Sequence, residues 1–343
     1  MSITIVTKKE EIDNLKIEKN TGEILEDINP RTNKKNNWNQ YKKSNQFIGK
    51  LLQEHLDNHS NIVLSEKRIG DINQCADTLL FLEDKEKNRK LYQAYFCKFR
   101  LCPVCNWRRS LKMFAQVSEI TNYLMFKKPN VRFIFLTLTI ENPTGEKLSE
   151  TIDLLLDKVQ FIYNKSRKIK ELKDFKDNLI GGLRALEITY NKKKNTYHPH
   201  IHLLLAVEPE YFNHKNYISQ KRFTEIWQKI LGVDYTPIVD VRKIHNATAN
   251  TIAEVSKYPV KSFELQQLKH DKAMEVIFYL MNSSYNRRFI SFFGEFKKIR
   301  AMLQLDDIES GDLIKTSEED ILGFNAVAKV MFTYRADVGM YIS

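Results

Sequence analysis

The chain has 343 residues, 42% of them hydrophobic and 28% charged, and its 54 lysines and arginines against 43 acidic residues leave a formal charge of +11. That apolar content supports a folded core, and the length predicts about two domains, or one domain with sizeable additions. Eleven glycines and eight prolines exclude collagen-like and low-complexity chains, no apolar run approaches the ~18 residues that span a bilayer, and the basic excess points to a polyanionic partner, nucleic acid or anionic lipid.

Met1 to Glu10 has neither a long apolar stretch nor a small-residue cleavage site, so a secretory leader is not expected and the cytoplasm is the expected location. Acidic residues dominate up to Asp27, and Arg31 to Lys50 then carries only basic charge among Asn and Gln. Residues 1–60 therefore read as a polar, basic appendage, partly flexible. Phe47, Ile48, Leu51, Leu52 and Leu56 begin a helical pattern inside it. A Cys-rich region, 61–127, follows, with an amphipathic helix from Leu111 carrying Met113, Phe114, Val117, Ile120 and Leu124.

From Val131 the pattern alternates between strand and helix. Val131 to Ile140 is β-branched and aromatic and reads as a central strand, and Leu148 to Tyr163 has helical spacing. Leu183 to Tyr190 and His200 to Val207 are strands joined by the turn Asn191 to Asn195, hence a hairpin. Ser219 caps a helix with Phe223, Ile226, Trp227 and Ile230; Pro237 to Ile244 is a strand, and Asn250 to Lys257 a helix stopped by Pro259. The expected fold class is α+β, a central sheet with helices mainly on one face, over a domain at 128–300 followed by an accessory segment at 301–343.

Three groups of residues carry chemistry. In His198-Pro199-His200-Ile201-His202, residues i and i+2 of a strand project from one face, so His200 and His202 lie side by side and are able to bind one divalent ion. Glu187 on the partner strand is the candidate third ligand, with His198 as the alternative, and a carboxylate beside two imidazoles suits Mg2+ or Mn2+. Thr137 and Thr139 read as structural. In Glu254-Val255-Ser256-Lys257-Tyr258-Pro259, Glu254 and Tyr258 are i and i+4 on a helix that ends at the proline, leaving the tyrosine at an exposed terminus. A tyrosine hydroxyl, titrating near about 10, needs a polarised phosphate or a neighbouring lysine to act as a nucleophile.

The third group is Cys97, Cys102 and Cys105, with Cys75 upstream. Clustered cysteines in a cytoplasmic chain read as metal ligands, and Cys-x2-Cys at 102 and 105 completes a tetrahedral zinc site with the other two. Arg100, Trp107, Arg108 and Arg109, interleaved with Phe99, have the basic and aromatic character of a surface that tracks phosphates and stacks bases. Arg287 and Arg288 are expected to contact backbone phosphate.

Five blocks in this order, residues 97–112, Phe135 to Thr139, His198 to Leu205, Glu254 to Lys261 and Arg287 to Phe296, resemble the rolling-circle replication initiators of small Gram-positive plasmids, within the His-hydrophobic-His superfamily of tyrosine endonucleases. The resemblance covers about 75–300. It implies a ferredoxin-like or RRM-like antiparallel sheet domain, and plasmid origin DNA, double- and single-stranded, as partner. It further implies that Tyr258 cuts one strand through a 5′-phosphotyrosyl intermediate, assisted by Lys257 and flanked by Lys261. Glu254 would activate water for the terminating cleavage. No Gly-x4-Gly-Lys-Ser/Thr run is present, since Gly49-Lys50 lacks the preceding glycine and following hydroxyl, so the resemblance implies a host helicase and polymerase as partners. No membrane partner is expected, and the sequence does not set the oligomeric state. Two other readings of the same residues are a non-catalytic zinc-knuckle DNA-binding regulator and a metal-dependent nuclease without a covalent intermediate.

Overall fold

The structure, a computed structural model, describes residues 10–29, 33–58, 64–165, 169–213, 217–244, 252–253, 256, 262–314 and 324–343. The strands in chain order are β1 (Ile17–Glu18), β2 (Ile28–Asn29), β3 (Lys34–Lys35), β4 (Thr78–Glu83), β5 (Arg89–Ala94), β6 (Arg132–Thr139), β7 (Leu179–Asn191), β8 (Thr196–Val207), β9 (Val239–Ile244), β10 (Ile290–Gly294), β11 (Ala328–Arg335) and β12 (Met340–Ile342). The principal helices are α1 (Trp38–Asn58), α2 (Glu66–Asn73), α3 (Pro103–Lys127), α4 (Gly145–Lys158), α5 (Gln220–Leu231), α6 (His270–Ser284) and α7 (Glu295–Met302). No helix among the described residues is long and apolar enough to cross a membrane.

The chain forms two compact units. One comprises residues 1–112, 262–267 and 310–343, the other 113–261 and 268–309, with the division falling inside α3. In the first unit the strands run β1-β11-β4-β5, with β12 also on β11. Thus the C-terminal segment supplies a strand to the middle of a sheet that the N-terminal half begins. α1 lies in the stretch expected to be partly flexible, and its buried stripe runs through Trp38, Lys42, Asn45, Ile48, Gly49 and Leu52. The spacing is helical, but two of the buried positions are polar, which is why composition made this segment look solvated. α3 starts at Pro103, eight residues before Leu111, and Pro is well tolerated in a first turn because its missing N–H would have no intrahelical partner.

The second unit is built on an antiparallel five-stranded sheet in the order β10-β7-β8-β6-β9. The expected α+β class with a central antiparallel sheet is what the chain adopts. Phe133, Phe135, Leu136, Leu138, Ile201, Leu203 and Leu205 are all essentially inaccessible to solvent, each worth about 1.5–3 kcal/mol of burial. β7 needs its paired glycines, because a Cβ on Gly182 would sit 2.2 Å from the Leu204 carbonyl oxygen of β8. α5 starts with the Ser219 side chain accepting from Arg222 N, as its sequence predicts, and ends at Gly232 with φ of 72°.

Candidate metal centres and their surroundings

The β7–β8 hairpin fixes the first centre. Its register pairs Asn191 with Thr196 and Glu187 with His200, and the Asn191 side chain accepts from Lys193 N and Lys194 N to hold the turn. Glu187, His200 and His202 consequently share one face of the sheet, and their ligand atoms all lie within 4.8 Å of one another. Glu187 Oε2 is 3.4 Å from His200 Nε2 and 3.2 Å from His202 Nε2, with side-chain exposures of 8%, 11% and 12%.

The orientation of the rings tests whether a metal fits. His200 Nδ1 lies 3.1 Å from the His198 carbonyl oxygen, which has no proton to give, so the ring must donate from Nδ1. In the neutral imidazole Nε2 is then a lone pair facing a carboxylate lone pair. That juxtaposition is stable only with a proton or a cation between them. Two ligands each about 2.1 Å from one ion, at octahedral to tetrahedral angles, stand roughly 3.0–3.4 Å apart, which the observed distances match. His202 Nδ1 is 3.0 Å from Thr137 Oγ1, and its ring stacks on Phe135 at 5.3 Å. Burial works to raise the Glu187 carboxyl, but hydrogen bonds and charge from His200 and His202 outweigh it and hold the group well below the usual carboxylate range.

His198, the alternative ligand, lies outside this converging group. Its Nδ1 is engaged with Asn142 Oδ1 at 2.7 Å, and its contribution to the centre is the backbone carbonyl that orients His200. Thr137 acts on the centre through His202, a role that counting the β6–β8 register would have suggested, since Thr137 pairs with His202 and Thr139 with His200.

The second group gathers Cys75, Cys97, Cys102 and Cys105, all buried and free of disulfides. Their Sγ separations of 3.6 Å (75–105), 3.6 Å (75–102) and 3.7 Å (97–105) approach the roughly 3.8 Å set by four thiolates about 2.3 Å from a tetrahedral zinc. Backbone N–H groups of Cys97, Lys98, Phe99 and Cys105 point at these sulfurs at 3.3–3.5 Å. Burial raises Cys105, yet hydrogen bonds from the other three thiols and the charge of Arg109 reverse this and pull it well below an ordinary thiol, whereas Cys75 and Cys102 are raised. Cys105 therefore favours the thiolate, the form in which a cysteine binds a metal. Ala76 and Lys98, which follow Cys75 and Cys97, both adopt left-handed φ (57° and 56°), so the cysteine turns are held in a conformation costing about 1–2 kcal/mol per residue.

The basic residues flanking this group occupy positions other than those expected. Arg108 is 8% exposed; it donates to the carbonyls of Leu313 and Ile314 and lies over Trp38, Phe96 and Trp107, and burial lowers its guanidinium to about 10. Arg109 is 1% exposed and donates to the carbonyls of Lys98 and Phe99 and to Asn106 Oδ1. A buried guanidinium that spends its donors on loop carbonyls does not present a phosphate contact, so these two brace the cysteine fold instead. Trp107 stacks on Tyr41 at 4.9 Å, while Arg100 is half-buried. Arg287 grips Asp153 through Nε and Nη2, both at 2.6 Å, and donates to Ser149 Oγ and the Ser283 carbonyl; Arg288 pairs with Asp307 and donates to the Ile290 carbonyl. Glu309, in a stretch with no assigned role, accepts from the N–H groups of Phe289 and Ile290, both at 2.7 Å, at the start of β10. Glu254, Lys257, Tyr258 and Lys261 lie outside the described residues.

Residues 88–342 match the family described as replication protein. The chain is 37% identical over 306 residues to Protein rep of Streptococcus pneumoniae serotype 2 (strain D39 / NCTC 7466), covering 88% of this chain and 90% of that one. It is 36% identical over 352 residues to Protein rep of Bacillus amyloliquefaciens, covering 93% and 97%. A replication protein of Staphylococcus aureus is 35% identical over 229 residues, covering 64% and 94%. No solved structure matches the chain.

Proposed function

Because the chain belongs to the replication-protein family, we propose that it initiates rolling-circle replication of a plasmid in the cytoplasm by nicking and rejoining one strand at the origin. The observation that carries this reading is the convergence of Glu187, His200 and His202 on one face of the sheet, with the Glu187 carboxylate 3.2–3.4 Å from both imidazole Nε2 atoms. These three side chains would hold Mg2+ or Mn2+, which when bound supplies charge to polarise a phosphate oxygen.

Tyr258 attacks the scissile phosphorus. The bond to the 3′-oxygen breaks as the tyrosyl ester forms, the phenolic proton is lost and the 3′-oxygen leaves as a hydroxyl that a polymerase extends. One phosphoester replaces another, so rejoining needs no ATP. Lys257 steadies the phenolate or the phosphate, and at termination Glu254 takes a proton from the water that releases the protein. Cys75, Cys97, Cys102 and Cys105 would hold zinc in a closed, four-thiolate site whose role is structural. Arg100, Trp107, Lys261, Arg287 and Arg288 remain the proposed DNA-facing residues. Without a nucleotide-binding motif of its own, the chain relies on a separate helicase.

The test is incubation of supercoiled plasmid, or a single-stranded origin oligonucleotide, with the protein and Mn2+. Wild type should give a protein–DNA adduct that survives denaturation, and Tyr258→Phe and His202→Ala should not. Cleavage by Tyr258→Phe with a free 5′-phosphate would instead mark a nuclease without a covalent intermediate. Binding without cleavage by any form would mark a regulator.

A further inference from the structure

The metal-bearing face continues past the histidines to the edge of the sheet. β6 pairs Thr139 with His200 and Thr137 with His202, and on its other side pairs Thr137 with Asp240 and Phe135 with Arg242 of β9. Asp240 and Arg242 are therefore on the same face as Glu187, His200 and His202, two strand spacings, or about 10 Å, from the histidines. Ile238 extends the same alternation by one more step. Its N–H donates to Thr139 Oγ1, and its carbonyl accepts from both Thr139 N and Thr139 Oγ1, so its backbone is fixed directly beside the His200 row. Among the described residues no strand pairs with the outer edge of β9.

The chemistry of this edge is unusual for a sheet margin. Ile238 is 72% exposed although its backbone is pinned. A lone exposed apolar side chain needs no explanation by itself. Here it stands at one end of a strip whose other end is a cation. Arg242 has a side-chain exposure of 57%, is oriented by Asp240 Oδ2 at 2.7 Å from its Nε, and lies over the Phe135 ring, the same ring on which His202 stacks. An apolar platform and a guanidinium presented on a rigid strand are the two contacts single-stranded nucleic acid uses, bases on the former and backbone on the latter.

We propose that the β9 strip is the binding site for the single strand flanking the scissile phosphate, with Ile238 packing against a base and Arg242 contacting a backbone phosphate. This rests on the nicking function proposed above and adds to it the path of the strand and two residues that set its affinity. Asp240 is a positioning residue, holding the guanidinium over the face rather than letting it swing into solvent.

Fluorescence anisotropy with labelled oligothymidine and with the origin strand, across a salt series, tests it in the full-length protein with Ile238→Ala and Arg242→Gln. Both side chains are exposed, so each variant should keep the wild-type circular dichroism and unfolding temperature. Each should bind about 5–10-fold more weakly, and Arg242→Gln alone should reduce the salt slope by about 0.7, the loss of one single-strand phosphate contact. In adduct formation KM should rise with kcat unchanged. Wild-type affinity and salt slope in both variants would overturn the proposal. Failure of wild type to form any adduct would count against nicking, while the anisotropy comparison would still decide the strip.

Discussion

Thr137 and His202 face each other across β6 and β8, with the threonine hydroxyl 3.0 Å from the imidazole Nδ1 and the opposite nitrogen, Nε2, 3.2 Å from Glu187. The hydroxyl therefore sets which ring nitrogen the candidate metal centre receives. Partners of this kind, one bond removed from the metal, typically contribute 10–100-fold in affinity. Thr137→Val should keep the fold, because the replacement is nearly isosteric, and weaken Mn2+ binding by about tenfold or more. Thr137→Ser should restore it. Titration of Mn2+ followed by electron paramagnetic resonance distinguishes the two, and equal affinity in wild type and Thr137→Val would remove the threonine from the centre.

Lys42 is the corresponding residue for the cysteine group. Its ammonium, fully buried, donates to the carbonyls of Asn73 and Cys75 at 2.7 and 2.9 Å and pairs with Asp77 at 2.5 Å, so it fastens the turn that carries Cys75. Lys42→Met leaves those carbonyls without a donor and should destabilise the protein by about 3 kcal/mol, with zinc affinity reduced at least tenfold. Metal content after dialysis against a mild chelator, and the thiolate-to-cobalt absorption of the Co2+-loaded protein, report on the site separately from the fold.

The C-terminus secures the same turn from another side. Tyr341, fully buried in β12, donates its hydroxyl to the Ala76 carbonyl at 2.6 Å. Tyr341→Phe should cost about 1 kcal/mol through that hydrogen bond. Tyr341→Ala, which also opens a cavity, should cost about 3–5 kcal/mol. Chemical denaturation measured with and without excess zinc should show the Tyr341→Ala deficit larger with zinc present, because weaker metal binding adds to the lost packing.

Arg287 and Asp153 give a pH-dependent test. The hydrogen bond from Arg287, followed by its charge, holds the Asp153 carboxyl below its usual range despite a burial contribution in the other direction. A carboxyl depressed in the folded state adds stability that is fully present above its unfolded value near 3.9 and is lost as pH falls through the lower folded value. Asp153→Asn should therefore flatten the acid limb of the stability curve below about pH 4. Asp153 is largely exposed, so the effect near neutrality should be about 1 kcal/mol or less. An unchanged acid limb would show that the pair contributes nothing.

Much of the second unit could be read from local pattern. The β-branched run of β6, the turn residues at 191–195 and the Ser219 cap specified strands, hairpin and helix because each is a short-range preference. The first unit was less legible. Its helix α1 buries Lys42 and Asn45, and its sheet joins β1, β4 and β5 to β11 and β12 from the far end of the chain. A buried lysine looks solvated in any composition count, and long-range strand pairing leaves no local signal. The same blindness misplaced Arg108 and Arg109, whose basic side chains suggest phosphate contacts until the carbonyls of residues 98, 99, 313 and 314 are brought around them.

The sequence by itself determined that His200 and His202 share a face, because side chains on a strand alternate with period two whatever the strand pairs with. It likewise determined that Cys102 and Cys105 are close, being three residues apart. Tertiary structure alone decided that Glu187 faces the histidines, since a slip of one residue in the β7–β8 register would turn it to the opposite side of the sheet. Only the folded chain brings Cys75 to the other three thiols and sets Ile238 and Arg242 on the face that carries Glu187, His200 and His202. Periodicity is a property of neighbouring residues, whereas register and long-range pairing are settled by the packing of the whole sheet.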